Sequence, residues 1–190
     1  AAVGQHQQLG VDGQVGGAPI LTVLLPKVAA ARDVAICRSL LSELSNPPEI
    51  CSFIETLDAV ENAYDIAAAS DGLHFGQADL TAELYAPNEH FLEHARARLC
   101  AAAARHGLPA YDTNSFELWD MDVVRAQSEA ARRCGFTGKA AIHPKQVATI
   151  AATFSVDADE LDGYRRTIKD YEEEAMGFAV TKDRVLTPPF

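Results

Sequence analysis

A chain of 190 residues, 48% hydrophobic and 23% charged, has the length and apolar content for one ordinary soluble domain. Its formal net charge of −11 disfavours nucleic acid and anionic membranes as partners, and any anionic substrate must be met by local cations or a metal. No apolar run approaches the roughly 20 residues of a membrane span, no basic-then-apolar leader opens the chain, and the four cysteines (Cys37, Cys51, Cys100, Cys134) lack metal-ligand spacing, so they read as reduced core thiols of a cytoplasmic protein.

Ala1 to Pro19 is Gly- and Gln-rich and reads as an irregular segment. Ile20 to Leu25 is a continuous apolar strand closed by Pro26-Lys27, and Ala30 to Leu44 is a helix stopped by Asn46-Pro47-Pro48. Ile50 to Glu55 is a second buried strand, Leu57 to Ala69 an Ala-rich helix, and Asp71 to Gly76 a third strand. Thr81 to Pro87 reads as a loop, after which Asn88 caps a helix that runs through Arg105 and stops at Gly107. Leu108 to Asp112 is a fourth strand, and a loop over Thr113 to Asp120 leads to a helix over Met121 to Cys134. Lys139 to Ile142 is a fifth strand, and His143-Pro144 opens the next helix. Asp157 starts a charged helix through Glu174, and Gly177 to Phe190 forms a hairpin or an extended arm. The boundaries suggest a barrel portion over 1–154 and a C-terminal helix and tail over 155–190, a candidate subunit-contact segment.

The second and third strands both end in a carboxylate, Glu55 and Asp79, with a helical crossover between them. Parallel neighbours lie about 4.8 Å apart, so the two acids can meet over one site. They repel unless a proton or cation compensates them, and their oxygens suit a hard cation such as Mg2+. The competing structural readings are a strand-end ion pair for Glu55 and a helix N-cap for Asp79.

Strand alternating with helix implies a parallel sheet, either doubly wound or barrel-shaped. In both, functional groups gather where strands end. Here the strand ends carry Lys27, Glu55, Asp79, Asp112 and His143, the polar punctuation of a barrel mouth, and no GxGxxG marks a dinucleotide loop.

Several stretches then occur in a fixed order: Leu25-Pro26-Lys27-Val28, Ile54-Glu55-Thr56, Phe75-Gly76-Gln77-Ala78-Asp79-Leu80, Gly107-Leu108-Pro109-Ala110-Tyr111-Asp112, and Gly135-Phe136-Thr137-Gly138-Lys139-Ala140-Ala141-Ile142-His143-Pro144. From about Leu24 onward they resemble the HpcH/HpaI aldolase and citrate lyase β-subunit family, with its malyl-CoA and citramalyl-CoA lyases. The resemblance implies a (β/α)8 TIM barrel of the phosphoenolpyruvate/pyruvate type, of which only about the last five βα units are evident here. It implies Mg2+, with Mn2+ as an alternative, held by Glu55 and Asp79. It also implies cleavage of a 3-hydroxyacyl-CoA through an enolate, and a homo-oligomer, trimer or hexamer.

The sequence departs from the family at several points. The family's early strands, with an Arg for the substrate carboxylate, have no counterpart. Ala29 and Ala59 stand where the family has Glu and Gly, and Thr187 stands where several members carry a tail Asp. Weak or absent lyase turnover is therefore expected of these residues alone.

Lys27 reads either as a stem packed along the barrel rim or as a catalytic charge beside the carboxylates. Asp112 is a second catalytic candidate, against a structural strand-end acid. Lys139, with Lys145, is a candidate for CoA phosphates, and His143 a candidate cofactor contact, against a hydrogen-bonded structural His. Two alternatives to a CoA-dependent lyase stand beside it: a class II pyruvate aldolase acting on an oxo-acid without CoA, and a truncated non-catalytic relative.

Overall fold

The structure, a computed structural model, describes residues 14–15, 18–173, 179–180 and 185–186. Strands β1 (Gln14–Val15) and β2 (Ala18–Pro19) pair antiparallel. The chain then runs β3 (Thr22–Leu25), α1 (Ala31–Leu41), β4 (Glu49–Ile54), α2 (Leu57–Glu61), α3 (Ala63–Ala69), β5 (Gly72–Phe75), α4 (Gln77–Ala82) and α5 (Glu89–His106). It continues with β6 (Ala110–Asp112), α6 (Met121–Cys134), β7 (Gly138–Lys139), α7 (Pro144–Phe154) and α8 (Ala158–Glu173). Strands β8 (Ala179–Val180) and β9 (Val185–Leu186) pair antiparallel. Contacts divide the chain into two compact units, Ala1–Phe154 and Ser155–Phe190. The tail positions Asp183 and Thr187 lie outside the described residues.

The main sheet has five strands in the order β3-β4-β5-β6-β7, all neighbours parallel. Spatial order equals chain order, so the sheet lacks the reversal that defines a doubly wound fold. Each crossover moves one strand further in the same direction, as in a (β/α)8 barrel. These are consecutive βα units of a barrel, with β3 and β7 at the edges of this sheet. Among the described residues no helix is long and apolar enough to cross a membrane.

The core forms where helices cover the sheet. Ile50, Ile54, Leu73 and Phe75 of the central strands pack with Ala63, Ile66 and Ala67 of α3 and with Ala95, Leu99, Ala102 and Ala103 of α5. Alanines dominate those helix faces, which lets the helices sit close to the strands. The edge strand differs: Leu24 on β3 is 57% exposed, whereas Ile54 on β4 is fully buried.

Local signals set most boundaries. Asn88 caps α5 by accepting the Phe91 amide at 3.1 Å, and Asp120 caps α6 by accepting those of Asp122 and Val123. Gly107 and Gly135 end the two helices at φ 65° and 108°, in the left-handed region. Three expectations are corrected. The helix expected over Leu57 to Ala69 breaks at Asn62, whose side-chain amide donates to the Ala29 carbonyl at 2.9 Å. Thr81 and Ala82 are the last two residues of a short helix, α4, instead of opening a loop. The fifth strand is Gly138–Lys139 rather than Lys139 to Ile142, because β6 offers only Tyr111 and Asp112 as partners and Ile142 is 51% exposed.

Core and edge should respond differently to truncation. Ile54→Ala should cost about 2–5 kcal/mol in urea unfolding, and Leu24→Ala should stay within about 0.5 kcal/mol. A Leu24→Ala loss as large as that of Ile54→Ala would show that another surface covers β3.

His74 on β5 supplies a pH test. It stacks on Phe53 with centroids 4.2 Å apart, its Nδ1 has no partner, and burial lowers its pKa from the ordinary 6.5. Below pH 6.5 the unfolded chain therefore takes up a proton at this position before the folded one does, so stability falls as pH drops through that range. Urea midpoints should decrease below that pH in the wild type and decrease less in His74→Phe; parallel curves would contradict the assignment.

Candidate active site

Four of the six candidate residues, Lys27, Glu55, Asp79 and His143, follow the C-terminal ends of strands, and Asp112 and Lys139 are the last residues of β6 and β7. All but His143 fall into two clusters. The first joins Lys27, Glu55 and Asp79. Glu55 directly follows β4 and is 5% exposed. Its Oε1 accepts the backbone amide of Lys27 at 2.8 Å. Lys27 holds φ 53°, a conformation uncommon outside glycine, so the backbone is turned to aim that amide at Glu55. The Lys27 ammonium reaches over to Asp79 Oδ1 and forms an ion pair with it. The hydrogen bond that the ammonium donates to Asp79 raises the Lys27 pKa above its ordinary value, and the nearby charge of Glu55 adds to the effect.

The chain on either side of Lys27 is anchored. Asp33 Oδ2 accepts the amides of Ala29 and Ala30 at 2.9 and 3.0 Å, which pulls its pKa below the usual carboxylate value. Thr56 Oγ1 accepts the Ala59 amide at 3.0 Å to cap α2 and donates to the Val28 carbonyl at 3.4 Å. On the other flank, Gly76 precedes α4. A Cβ at Gly76 would stand 2.4 Å from Glu55 Cβ and 2.7 Å from Oε2, so only glycine fits beside Glu55 at the entry to α4.

The donor set fits a hard divalent cation. Oε2 of a buried carboxylate lies against the bare backbone of Gly76, and Asp79 offers a second carboxylate. The ammonium of Lys27 already stands where positive charge is wanted. Among the described residues no group of three or more His, Cys, Asp and Glu joins them as a metal cage. Two carboxylates suit Mg2+, which keeps waters and substrate oxygens in its remaining positions.

The second cluster joins Asp112 and Lys139, which pair across β6 and β7. Lys139 Nζ donates to Asp112 Oδ2 at 2.8 Å and to the Thr113 carbonyl at 2.6 Å, while Arg96 NH1 donates to Asp112 Oδ1. The side chains of Asp112 and Lys139 are each 2% exposed. Arg96 lies over the rings of Phe75 and Phe136. Both Asp112 oxygens are thus engaged, and the Lys139 ammonium is enclosed rather than presented to a phosphate. His143 caps α7: its Nδ1 accepts the Lys145 amide at 3.2 Å. Lys145 itself lies over the exposed Trp119 ring at 4.8 Å.

Sequence reading missed three contributors. Gly76 had a signal, a lone glycine between an apolar strand and an acid. Gln146 had a fainter one, the capping-box spacing three residues after His143. Its Oε1 accepts the amides of Ile142 and His143, and its Nε2 donates to the carbonyls of Ser115 and Glu117 at 3.0 and 2.8 Å. Arg96, in the middle of an Ala-rich helix, had none.

The sequence pattern of the HpcH/HpaI aldolase/citrate lyase family matches residues 4–144. A (3S)-malyl-CoA thioesterase of Cereibacter sphaeroides is 34% identical over 175 residues, covering 86% of this chain and 59% of the relative. An L-malyl-CoA/beta-methylmalyl-CoA lyase of the same species is 28% identical over 162 residues, 70% of this chain and 51% of the relative. The chain thus spans little more than half the length of these curated relatives. The protein CitE of Mycobacterium tuberculosis, solved in complex with magnesium, acetoacetate and coenzyme A, superposes with a TM-score of 0.68 over 88% of this chain and 63% of its own, at 23% identity, which is a likeness of fold. A match over residues 4–144 makes the chain a member of the HpcH/HpaI aldolase/citrate lyase family.

Proposed function

We propose that this chain carries the metal-binding part of a carbon–carbon lyase that acts on a 3-hydroxyacyl-CoA such as malyl- or citramalyl-CoA. The observation that carries this reading is that Lys27 links the two carboxylates at the mouth of the strands, its backbone amide donating to Glu55 and its ammonium pairing with Asp79. Glu55 and Asp79 would hold Mg2+ or Mn2+. Bound there, a divalent cation supplies Lewis-acid stabilisation of negative charge developing on a carbonyl oxygen.

The chain's own residues do the rest. Glu55 is fixed by the Lys27 amide and by the wall at Gly76, so one oxygen is committed and the other remains for the cation. Lys27 has a flexible four-carbon stem and is half exposed, so it can leave Asp79 and donate to the acid end of the substrate. Asp112 and Lys139 hold each other and Arg96, and their role is to fix the rim rather than to react. A homo-oligomeric assembly and a cytoplasmic setting belong to the same proposal. The lyase among the relatives and the magnesium in the solved relative support it.

A second reading is hydrolysis of the same thioester, favoured by the relative named as a thioesterase. Products separate the two. Cleavage of the carbon–carbon bond in malyl-CoA yields acetyl-CoA and glyoxylate; hydrolysis yields free CoA and malate. Acetyl-CoA from malyl-CoA, reduced about 10²–10³-fold in kcat/KM by Glu55→Gln, is the expected result. Free CoA with malate would favour the thioesterase.

Metal affinity can be tested without turnover. Glu55→Gln and Gly76→Ala should each weaken Mn2+ binding at least about 10-fold by calorimetry with the circular dichroism unchanged, the first by removing a ligand and the second by displacing it. Asp112→Asn should leave Mn2+ affinity within about two-fold. Equal affinity in the wild type and both site variants would remove the metal assignment.

A further inference from the structure

Helix α5 carries two histidines one turn apart, His90 and His94, and both are exposed. Residues at i and i+4 of a helix are neighbours, with Cβ atoms about 5–6 Å apart. Helical side chains also lean toward the N-terminus, so His94 lies over the turn that holds His90. The ring geometry agrees: the centroid of His94 stands 6.3 Å from that of Phe91, the residue after His90. The same stripe continues through Ala97 and Ala101, both exposed and both too small to crowd the pair.

The fold makes no use of either ring. Among the described residues neither imidazole has a hydrogen-bond or ion-pair partner. The other described histidines differ: His74 stacks on Phe53 within the sheet, His143 caps α7, and His106 ends α5 far from the pair. The charged side chains around the pair leave it open. Glu93 has a 71% exposed side chain and is loosely paired, its Oε1 3.7 Å from Arg96 Nε, and Arg96 is held more closely by Asp112. Glu89 adds an exposed carboxylate in the first turn, where it offsets the positive end of the helix dipole. Arg98, one turn after His94, is committed to the carbonyls of Val60 and Glu61 at 2.7 and 2.6 Å.

Two free imidazoles at this spacing can each give a nitrogen lone pair to one cation. Imidazole suits the later first-row divalent metals, among them Zn2+, Ni2+ and Cu2+, whereas carboxylates and water suit Mg2+. The same i, i+4 spacing holds zinc where two histidines share one face of a helix. We propose that His90 and His94 chelate a nitrogen-preferring divalent cation such as Zn2+ on the exposed face of α5, with water in the remaining positions. Two protein ligands and open coordination positions make it a docking point for the metal rather than a closed structural centre. The pair differs from Glu55 and Asp79 in both its helix and its donor atoms, so the proposal stands whatever reaction the chain performs.

The test is a Zn2+ titration of the ¹⁵N-labelled full chain, read from the histidine ring nitrogens by NMR, with Mg2+ in excess to occupy the carboxylates at the strand ends. The expected result is that the rings of His90 and His94 shift together and saturate at equimolar Zn2+, while those of His74 and His143 stay in place. Mg2+ alone should move neither ring of the pair. His90→Ala and His94→Ala should each weaken Zn2+ binding at least about ten-fold, and Glu55→Gln should leave it within about two-fold. Separate midpoints for the two rings, or wild-type Zn2+ affinity in either alanine variant, would overturn the proposal. Both substitutions place a strong helix former on an exposed face, so α5 should persist, which circular dichroism checks. Should a variant fail to fold, the joint or separate saturation of the two rings in the wild type decides alone.

Discussion

The carboxylate of Glu55 accepts the backbone amide of Lys27, and the rest of the site hangs on that contact. It is made by a buried acid, so it cannot be left unpaired without a large desolvation cost. To make it, Lys27 adopts a left-handed backbone that residues other than glycine seldom take. That turn points the Lys27 side chain toward α4, where Asp79 meets it. Gly76 closes the arrangement by leaving room for Glu55 at the entry to α4. One interaction thus links the ends of β3, β4 and β5 and draws charged groups from three βα units into one cluster.

The neighbouring cluster follows a different logic. Arg96 comes from α5, Asp112 from β6 and Lys139 from β7, and they satisfy one another inside the rim. Breaking one member of such a buried set costs far more than the net worth of the set, because it strands the others. Gln146 extends the support by joining the loop after β6 to the start of α7. Side by side, the clusters divide the labour between an accessible site, half exposed at Lys27 and Asp79, and an enclosed scaffold. The thiols stay out of both: burial pushes Cys51 up to about 11 and Cys100 up to about 12, as expected of inert core residues.

Much of the fold was legible because the signals were local. Apolar runs of strand length, the Asn88 and Asp120 caps and the Gly107 stop each act within a few residues, and their order alone specified parallel βα units. The family resemblance was legible for the same reason, since its motifs are short stretches at strand ends. What could not be read was whatever depended on a partner far away in the chain. The break at Asn62 reflects a carbonyl 33 residues earlier, at Ala29. The enclosure of Lys139 reflects a carboxylate 27 residues away, so a lysine that looked free for phosphate binding in sequence turns out to be occupied. Gly76 is needed because of the Glu55 side chain, and no periodicity reports a contact of that kind.

The central claim is that Glu55 and Asp79 form one cation site at the strand ends. Crystals soaked in Mn2+ and measured at an anomalous wavelength test it most directly. The account predicts an anomalous peak within coordination distance of an oxygen of Glu55 and an oxygen of Asp79, with the Lys27 ammonium displaced from Asp79. A peak elsewhere, or none there while the Lys27–Asp79 ion pair remains intact at saturating Mn2+, would contradict it.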